Sequence, residues 1–185
     1  MSTTQDQVHA EAAAAPRPDG TPGARGSAVL LIAGVLSIVV GFGSLFSGLL
    51  GIGYTWNQAD IQNIVTPDDA SIPGVAVRGP FTMLSQRDII VEYTLEGTHG
   101  LYYAELPRQV PLIGEDGVPV LDAAGEAVLV PNQERNIWLA ATTLTNALNL
   151  GILAYGMAAL AIVTGLALVG SGAGFLILRK SAMAG

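Results

Sequence analysis

The sequence predicts a membrane protein: a two-helix transmembrane hairpin with a small α+β extracytoplasmic domain between the spans. Charged residues make up only 12% of the 185-residue chain, against about 25% in soluble domains. They are absent altogether from Gly26 to Ala59 and from Asn136 to Leu178. Between those two stretches lies a segment with helical periodicity followed by short apolar runs and turn residues, which supplies the α+β character. The same composition excludes other classes: there is no cysteine for a disulfide scaffold, and a net charge of -7 does not suit a basic nucleic-acid binder.

Residues 1–26 are dense in Ala, Pro, Gly and Thr and hold too few large apolar side chains to offset chain entropy. They are expected to form a disordered cytoplasmic tail. Residues 27–54 are the first expected span. Its apolar stretch, Ala28 to Gly53, would rise about 39 Å as a helix, against about 30 Å of bilayer hydrocarbon. A cleaved signal peptide is the competing explanation, but the stretch exceeds an ordinary signal's apolar region and no A-x-A site follows. The second span is expected at 150–178, stopping at Arg179 and Lys180. Low polarity begins earlier, near Ile137, so one helix from Trp138 would be about twice the hydrocarbon thickness and must stand partly outside lipid. Tyr155 suits the outer interface of this span, as Tyr54 and Trp56 suit that of the first. A break at the stretch Gly170 to Gly174, shifting the span outward, is the alternative. Residues 179–185 form the second cytoplasmic end.

Arg17 and Arg25 precede the first span and Arg179 and Lys180 follow the second, while the opposite ends offer only Arg135. Both termini are therefore expected in the cytoplasm, with the chain in a bacterial plasma membrane. Arginine outnumbers lysine 7 to 1, a composition that points to a high-GC bacterium. Residues 55–149, helix extensions included, become the extracytoplasmic domain; residues 55–147 carry 12 acids and 4 arginines, an acidic surface. Within it, Gly79-Pro80 opens a helix whose apolar face is expected to be Phe81, Leu84, Val91 and Leu95, with Gly97 or Gly100 as the stop. Apolar runs around Leu112, Val120 and Leu129, separated by Glu115-Asp116-Gly117 and Asp122 to Gly125, predict a small meander or hairpin. Pro111, Pro119 and Pro131 keep its strands short.

Small residues form the sharpest pattern. Gly34, Ser37, Gly41, Ser44, Gly48 and Gly51 recur at spacings of 3, 4, 3, 4 and 3, one stripe of a helix. Gly151, Ala154, Ala158, Ala161, Gly165 and Gly172 keep the same register in the second span, interrupted by Leu168. Small residues let helix backbones approach in lipid, so these twelve are the expected helix-packing residues.

The blocks GPFTMLSQRDII (79–90), YYAELPR (102–108) and NQERNIWLAATTLTNALNLGILAYG (132–156), set between two spans, resemble an actinobacterial family of small two-span membrane proteins. Its members often carry the automatic label "aromatic ring-opening dioxygenase". The resemblance implies a membrane location. Extradiol ring opening uses Fe(II) held by two histidines and a carboxylate, and this chain's two histidines, His9 and His99, fall on opposite sides of the membrane in the expected topology. No catalytic, cofactor-binding or metal-ligating residue is therefore expected. His99 reads either as a pH-sensing or ligand-binding imidazole or as a turn residue at a helix end. Asp68, Asp69, Glu115, Asp116, Asp122 and Glu126 read as turn acids or as oxygen ligands for a hard cation, at spacings that match no EF-hand loop. Neither span holds the ionisable side chains that pumps and transporters use. The expected function is a non-enzymatic accessory or scaffolding subunit of a bacterial membrane complex. Its partners would be the lipid bilayer and other membrane subunits or a second copy, with no nucleic acid. The alternative is a membrane-tethered sensor or ligand-binding module acting through the acidic outer domain.

Overall fold

The computed structural model describes residues 24–184; the tail expected over 1–23 lies outside the described residues. In chain order the elements are α1 (Ala24–Ile61), α2 (Pro80–Gly97), β1 (Gln109–Pro111), β2 (Leu129–Pro131) and α3 (Gln133–Ala184). Two long apolar helices thus enclose a short helix and a two-stranded sheet. Both long helices are long and apolar enough to cross a membrane, and only 11% of the most apolar 18-residue stretch of each is buried.

Several boundaries move. Ala24, Arg25 and Gly26, expected in the tail, already belong to α1, which continues past Gly53 to Ile61. Unbroken, α3 runs for 52 residues through Gly170 to Gly174, so the alternative break does not form. Each glycine there costs a helix only about 1 kcal/mol, and an intact ladder of backbone hydrogen bonds outweighs that sum.

The chain divides into two compact units, one comprising the residues up to Phe46 and from Ala161 onward, the other Ser47–Leu160. The first holds two helical segments in antiparallel contact. In the second, α1 ends in a turn where Asn63 takes a left-handed backbone conformation (φ 49), as helix-terminating Asn often does. The following loop closes on itself: Val65 bridges Ala76, and Thr66 exchanges backbone and hydroxyl hydrogen bonds with Val75. Pro80 occupies the first turn of α2, and the Thr82 hydroxyl accepts from Gly79 N at 3.1 Å. At the other end His99 (φ 54) and Gly100 (φ 79) turn the chain away.

Only half of the expected apolar face of α2 turns inward, Val91 and Leu95 being half-buried. Phe81 is 76% and Leu84 41% exposed, whereas Met83, Ser85, Ile89 and Thr94 are buried. Hydrogen bonding overrides hydropathy here: buried Ser85 accepts from Ile72 N and from the Ser71 hydroxyl, both at 2.9 Å, which ties the preceding loop to this side of the helix.

Of the three expected apolar runs, two give strands, with Val110 opposite Val130. The Val120 run forms only isolated bridges, Ile113 to Pro119 and Leu121 to Ala127. Leu112 N donates to Val128 O, Val128 N to Val120 O and Val120 N to Leu112 O, a closed triangle of backbone bonds in place of a flat sheet. Pro119 has no N–H to extend a ladder. Gly117 (φ 77) and Gly125 (φ 82) supply the left-handed positions that the two tight turns require.

Asn132 caps α3, accepting from Glu134 N at 3.0 Å and donating to Pro107 O at 3.1 Å. One turn on, Trp138 Nε1 donates to Leu101 O at 2.9 Å, and its ring stacks on Tyr102 at 5.5 Å. The Arg135 guanidinium donates to Leu106 O at 2.7 Å and lies 3.9 Å from the centre of the Tyr103 ring. Together these contacts fasten the segment 101–108 to α3. The core they surround mixes Val77, Met83, Ile89, Leu106 and Trp138 with buried Thr66, Ser85, Thr94 and Thr98. Each of those hydroxyls has a hydrogen-bond partner, as burial of a polar group requires.

Candidate functional site

The twelve expected packing residues separate into those that meet a long helix and those that do not. In the first unit, a Cβ built on Gly41 would lie 2.8 Å from Gly165 O, and one built on Gly165 would lie 2.7 Å from Gly41 O. Gly34 and Gly172 oppose each other in the same way, at 3.0 and 2.6 Å from the partner's carbonyl oxygen. Any side chain at these four positions would collide with backbone. One turn beyond the Gly41 and Gly165 contact the Ser44 hydroxyl donates to Ala161 O at 2.8 Å, a hydrogen bond across the helix pair. Ser37 is half-buried.

In the second unit Gly48 and Ala158 are buried, and Gly51 sits 3.3 Å (as a Cβ) from the Ala158 methyl. Ala154 is half-buried. Gly151 departs from the pattern, because its absent Cβ makes room for Met83 Sδ of α2, 2.7 Å away. These small faces are therefore occupied within the chain.

Next to Gly151 lies a cleft of about 500 Å³, which the sequence did not disclose. One wall is Thr55, Gln58 and Ala59 of α1 with Gln62 just past its end, spaced i, i+3, i+4 and i+7. Leu144, Ala147, Leu148 and Gly151 repeat that spacing on α3, and Met83, Gln86 and Ile90 take i, i+3 and i+7 on α2. Three helix stripes thus converge, as their common periodicity allows. No charged side chain lines the cleft. Among the described residues, Gln86 Oε1 is the sole buried side-chain oxygen or nitrogen without a hydrogen-bond partner. The residue was invisible in the sequence because an isolated glutamine on a helix ordinarily faces water. Its spacing from Met83 and Ile90, both apolar, was the available signal.

Among the remaining candidates, Asp69, Asp116 and Asp122 have structural tasks. His99 is exposed in the turn after α2, and its Nε2 stands 3.8 Å from Glu134 Oε1. Asp116 accepts from Val118 N, and Asp122 from Ala124 N and Glu126 N, the bonds of acidic turn residues. Asp69 accepts from the Tyr93 hydroxyl at 2.7 Å. That hydrogen bond, more than desolvation or the nearby Glu96 and Glu92 charges, holds the Tyr93 pKa above its ordinary 10.0. Asp60 pairs with Arg78, whose guanidinium also lies over the Trp56 ring at 5.3 Å and whose carbonyl accepts from the Tyr155 hydroxyl. No group of three or more His, Asp or Glu side chains able to hold a metal ion occurs among the described residues.

Comparison with protein-family models, curated proteins and solved structures gives no match for this chain.

Proposed function

We propose that the chain is an integral protein of a bacterial plasma membrane, both termini cytoplasmic, that acts as a non-enzymatic accessory subunit carrying residues 55–149 outside the membrane. The observation that carries this reading is the exposed apolar surface of the long helices. Leu36, Val39, Phe42, Phe46 and Leu49 of α1, and Leu153, Leu160, Val163 and Leu166 of α3, are each 58% to 64% exposed. Contiguous apolar surface on this scale is not left to water. Lipid and neighbouring membrane subunits are the covers that fit helices with no charged residue along these stretches. The glycine faces do not serve, since they already meet within the chain. Asp69, Asp116 and Asp122, and the buried hydroxyls of Thr66, Ser85, Thr94 and Thr98, are engaged in turns, helix and loop hydrogen bonds, which supports the non-enzymatic reading. Purification of the intact chain in mild detergent tests it: a membrane protein in fixed stoichiometry is expected, and a chain that always isolates alone would overturn the subunit role.

A second reading, a membrane-tethered binding module, is favoured by one observation, the uncharged cleft of about 500 Å³.

A further inference from the structure

The outward face of α2 changes character along its length. Phe81 and Leu84, 76% and 41% exposed, lie among its first five residues, and the next positions on that face, Asp88, Glu92 and Glu96, are exposed acids. Spacings of 3, 4, 4 and 4 keep these five on one side of the helix. The helix also rises along α3. Met83 packs at Gly151, and Thr98 accepts from Trp138 Nε1 at 3.2 Å, so 15 residues of α2 match 13 of α3 in an antiparallel pair. Arg78, two residues before α2, sets the level of its start. Its carbonyl accepts from the Tyr155 hydroxyl, and its guanidinium lies 5.3 Å from the centre of the Trp56 ring. Those are the aromatic side chains that suit the water–bilayer boundary on α3 and α1. From Tyr155 onward α3 has no charged residue before Arg179.

We propose that the start of α2 is a lipid-contact surface: Phe81 and Leu84 enter the headgroup–acyl boundary of the adjacent leaflet, while Asp88, Glu92 and Glu96 stand in water. The proposal deepens the membrane reading and rests on it. Asp88 is about 10 Å along the helix axis from Phe81, and apolar helix faces reach about 5–10 Å into this boundary. The switch from apolar to acidic therefore falls within the thickness of the interface. A protein laid along α2 would desolvate an acid at every turn. A bilayer that meets only the start of the helix leaves those acids hydrated.

The test uses the full chain in phosphatidylcholine nanodiscs, with a nitroxide label on single cysteines, since the chain has none of its own. Phe81→Cys, Leu84→Cys, Asp88→Cys and Glu92→Cys all lie at exposed positions. Leu160→Cys on α3 and Ala123→Cys in an exposed turn are the references for lipid and for water. Power saturation in EPR reads collisions with oxygen, which concentrates in lipid, and with a nickel chelate, which stays in water. The oxygen-to-nickel ratio is expected to be at least about threefold higher at Phe81→Cys and Leu84→Cys than at Asp88→Cys and Glu92→Cys. Equal ratios at these four sites, with Leu160→Cys still in lipid, would overturn the proposal and leave the membrane reading standing. Shielding of Phe81→Cys from both reagents would assign the patch to a protein partner or a second copy and would also overturn it. A ratio at Leu160→Cys as low as that at Ala123→Cys would overturn the membrane reading, and the lipid contact with it.

Discussion

At Gly41 the constraint on the sequence comes from a neighbouring backbone rather than from a side chain. A methyl group there would lie 2.8 Å from Gly165 O and 2.9 Å from Val169 N, atoms that move only if a helix moves. Two residues on, Gly43 has nothing within 4 Å. Gly41→Ala is therefore expected to destabilise the chain by about 1–3 kcal/mol through overpacking. Gly43→Ala should be neutral or stabilise it by up to about 1 kcal/mol through helix propensity. Thermal unfolding of the two variants in one detergent distinguishes them, and equal shifts would mean the helices do not meet at Gly41. Tyr93 makes a prediction of another kind. Its pKa is raised because the protonated hydroxyl donates to Asp69, so the bond's contribution is complete below pH 10.0 and is lost as pH rises through the higher folded value. Tyr93→Phe should remove this step from the alkaline stability profile and leave the neutral-pH fold intact. A profile that keeps the step would assign it to another group.

Among the elements, the segment between β1 and β2 is the most detachable. From Leu112 to Val128 no residue is buried, and its acids and glycines bond only to their own turns. By contrast, β1 and β2 pair directly, and Asn132 N just beyond donates to Arg108 O, which links the hairpin to the cap of α3. Replacing 112–128 by Asn-Gly, a two-residue hairpin turn, is expected to preserve cooperative unfolding and change stability by less than about 1 kcal/mol, since exposed loops tolerate such changes. Loss of the helical signal at ordinary temperature would show instead that the segment supports the second unit. Helix α2 behaves oppositely: its buried side holds Ser85 and Thr94 as well as Met83 and Ile89, and the Ser85 hydroxyl attaches it to the backbone of the preceding loop at Ile72 N, whereas Thr94 bonds back to Ile90 O within the helix.

For the whole molecule the proposed membrane reading carries a prediction about orientation. Arg25, Arg179 and Lys180 sit at one end of the long helices' apolar stretches, and Arg179 Nε donates to the Ser27 hydroxyl at 3.2 Å there. In the orientation proposed above, that end faces the cytoplasm. Because the chain has no cysteine, single substitutions report cleanly. Ala123→Cys, in an exposed turn, should react with a membrane-impermeant thiol reagent in intact cells, and Ser181→Cys should react only after lysis. The reverse pattern would invert the orientation, and equal reaction of both would remove the chain from the membrane.

Two long apolar helices, a short helix opened by Pro80 and short proline-limited strands were legible in the sequence, because composition, periodicity and the conformational limits of proline act locally along a chain. The 3, 4, 3, 4, 3 recurrence of small residues was legible for the same reason. What it meets was not: Gly41 opposes Gly165, whereas Gly151 receives Met83, since contact partners depend on how distant segments pack and both are compatible with one periodic stripe. The inward face of α2 was decided by Ser71 and Ile72, 14 and 13 residues before Ser85, through tertiary hydrogen bonds that hydropathy does not encode. The cleft was decided wholly by tertiary structure. Thr55 and Gln58 look solvated on α1, as does Gln62 just past its end, and Gln86 looks solvated on α2. Only the convergence of three helix faces gives them a common space and leaves one amide oxygen buried without a partner.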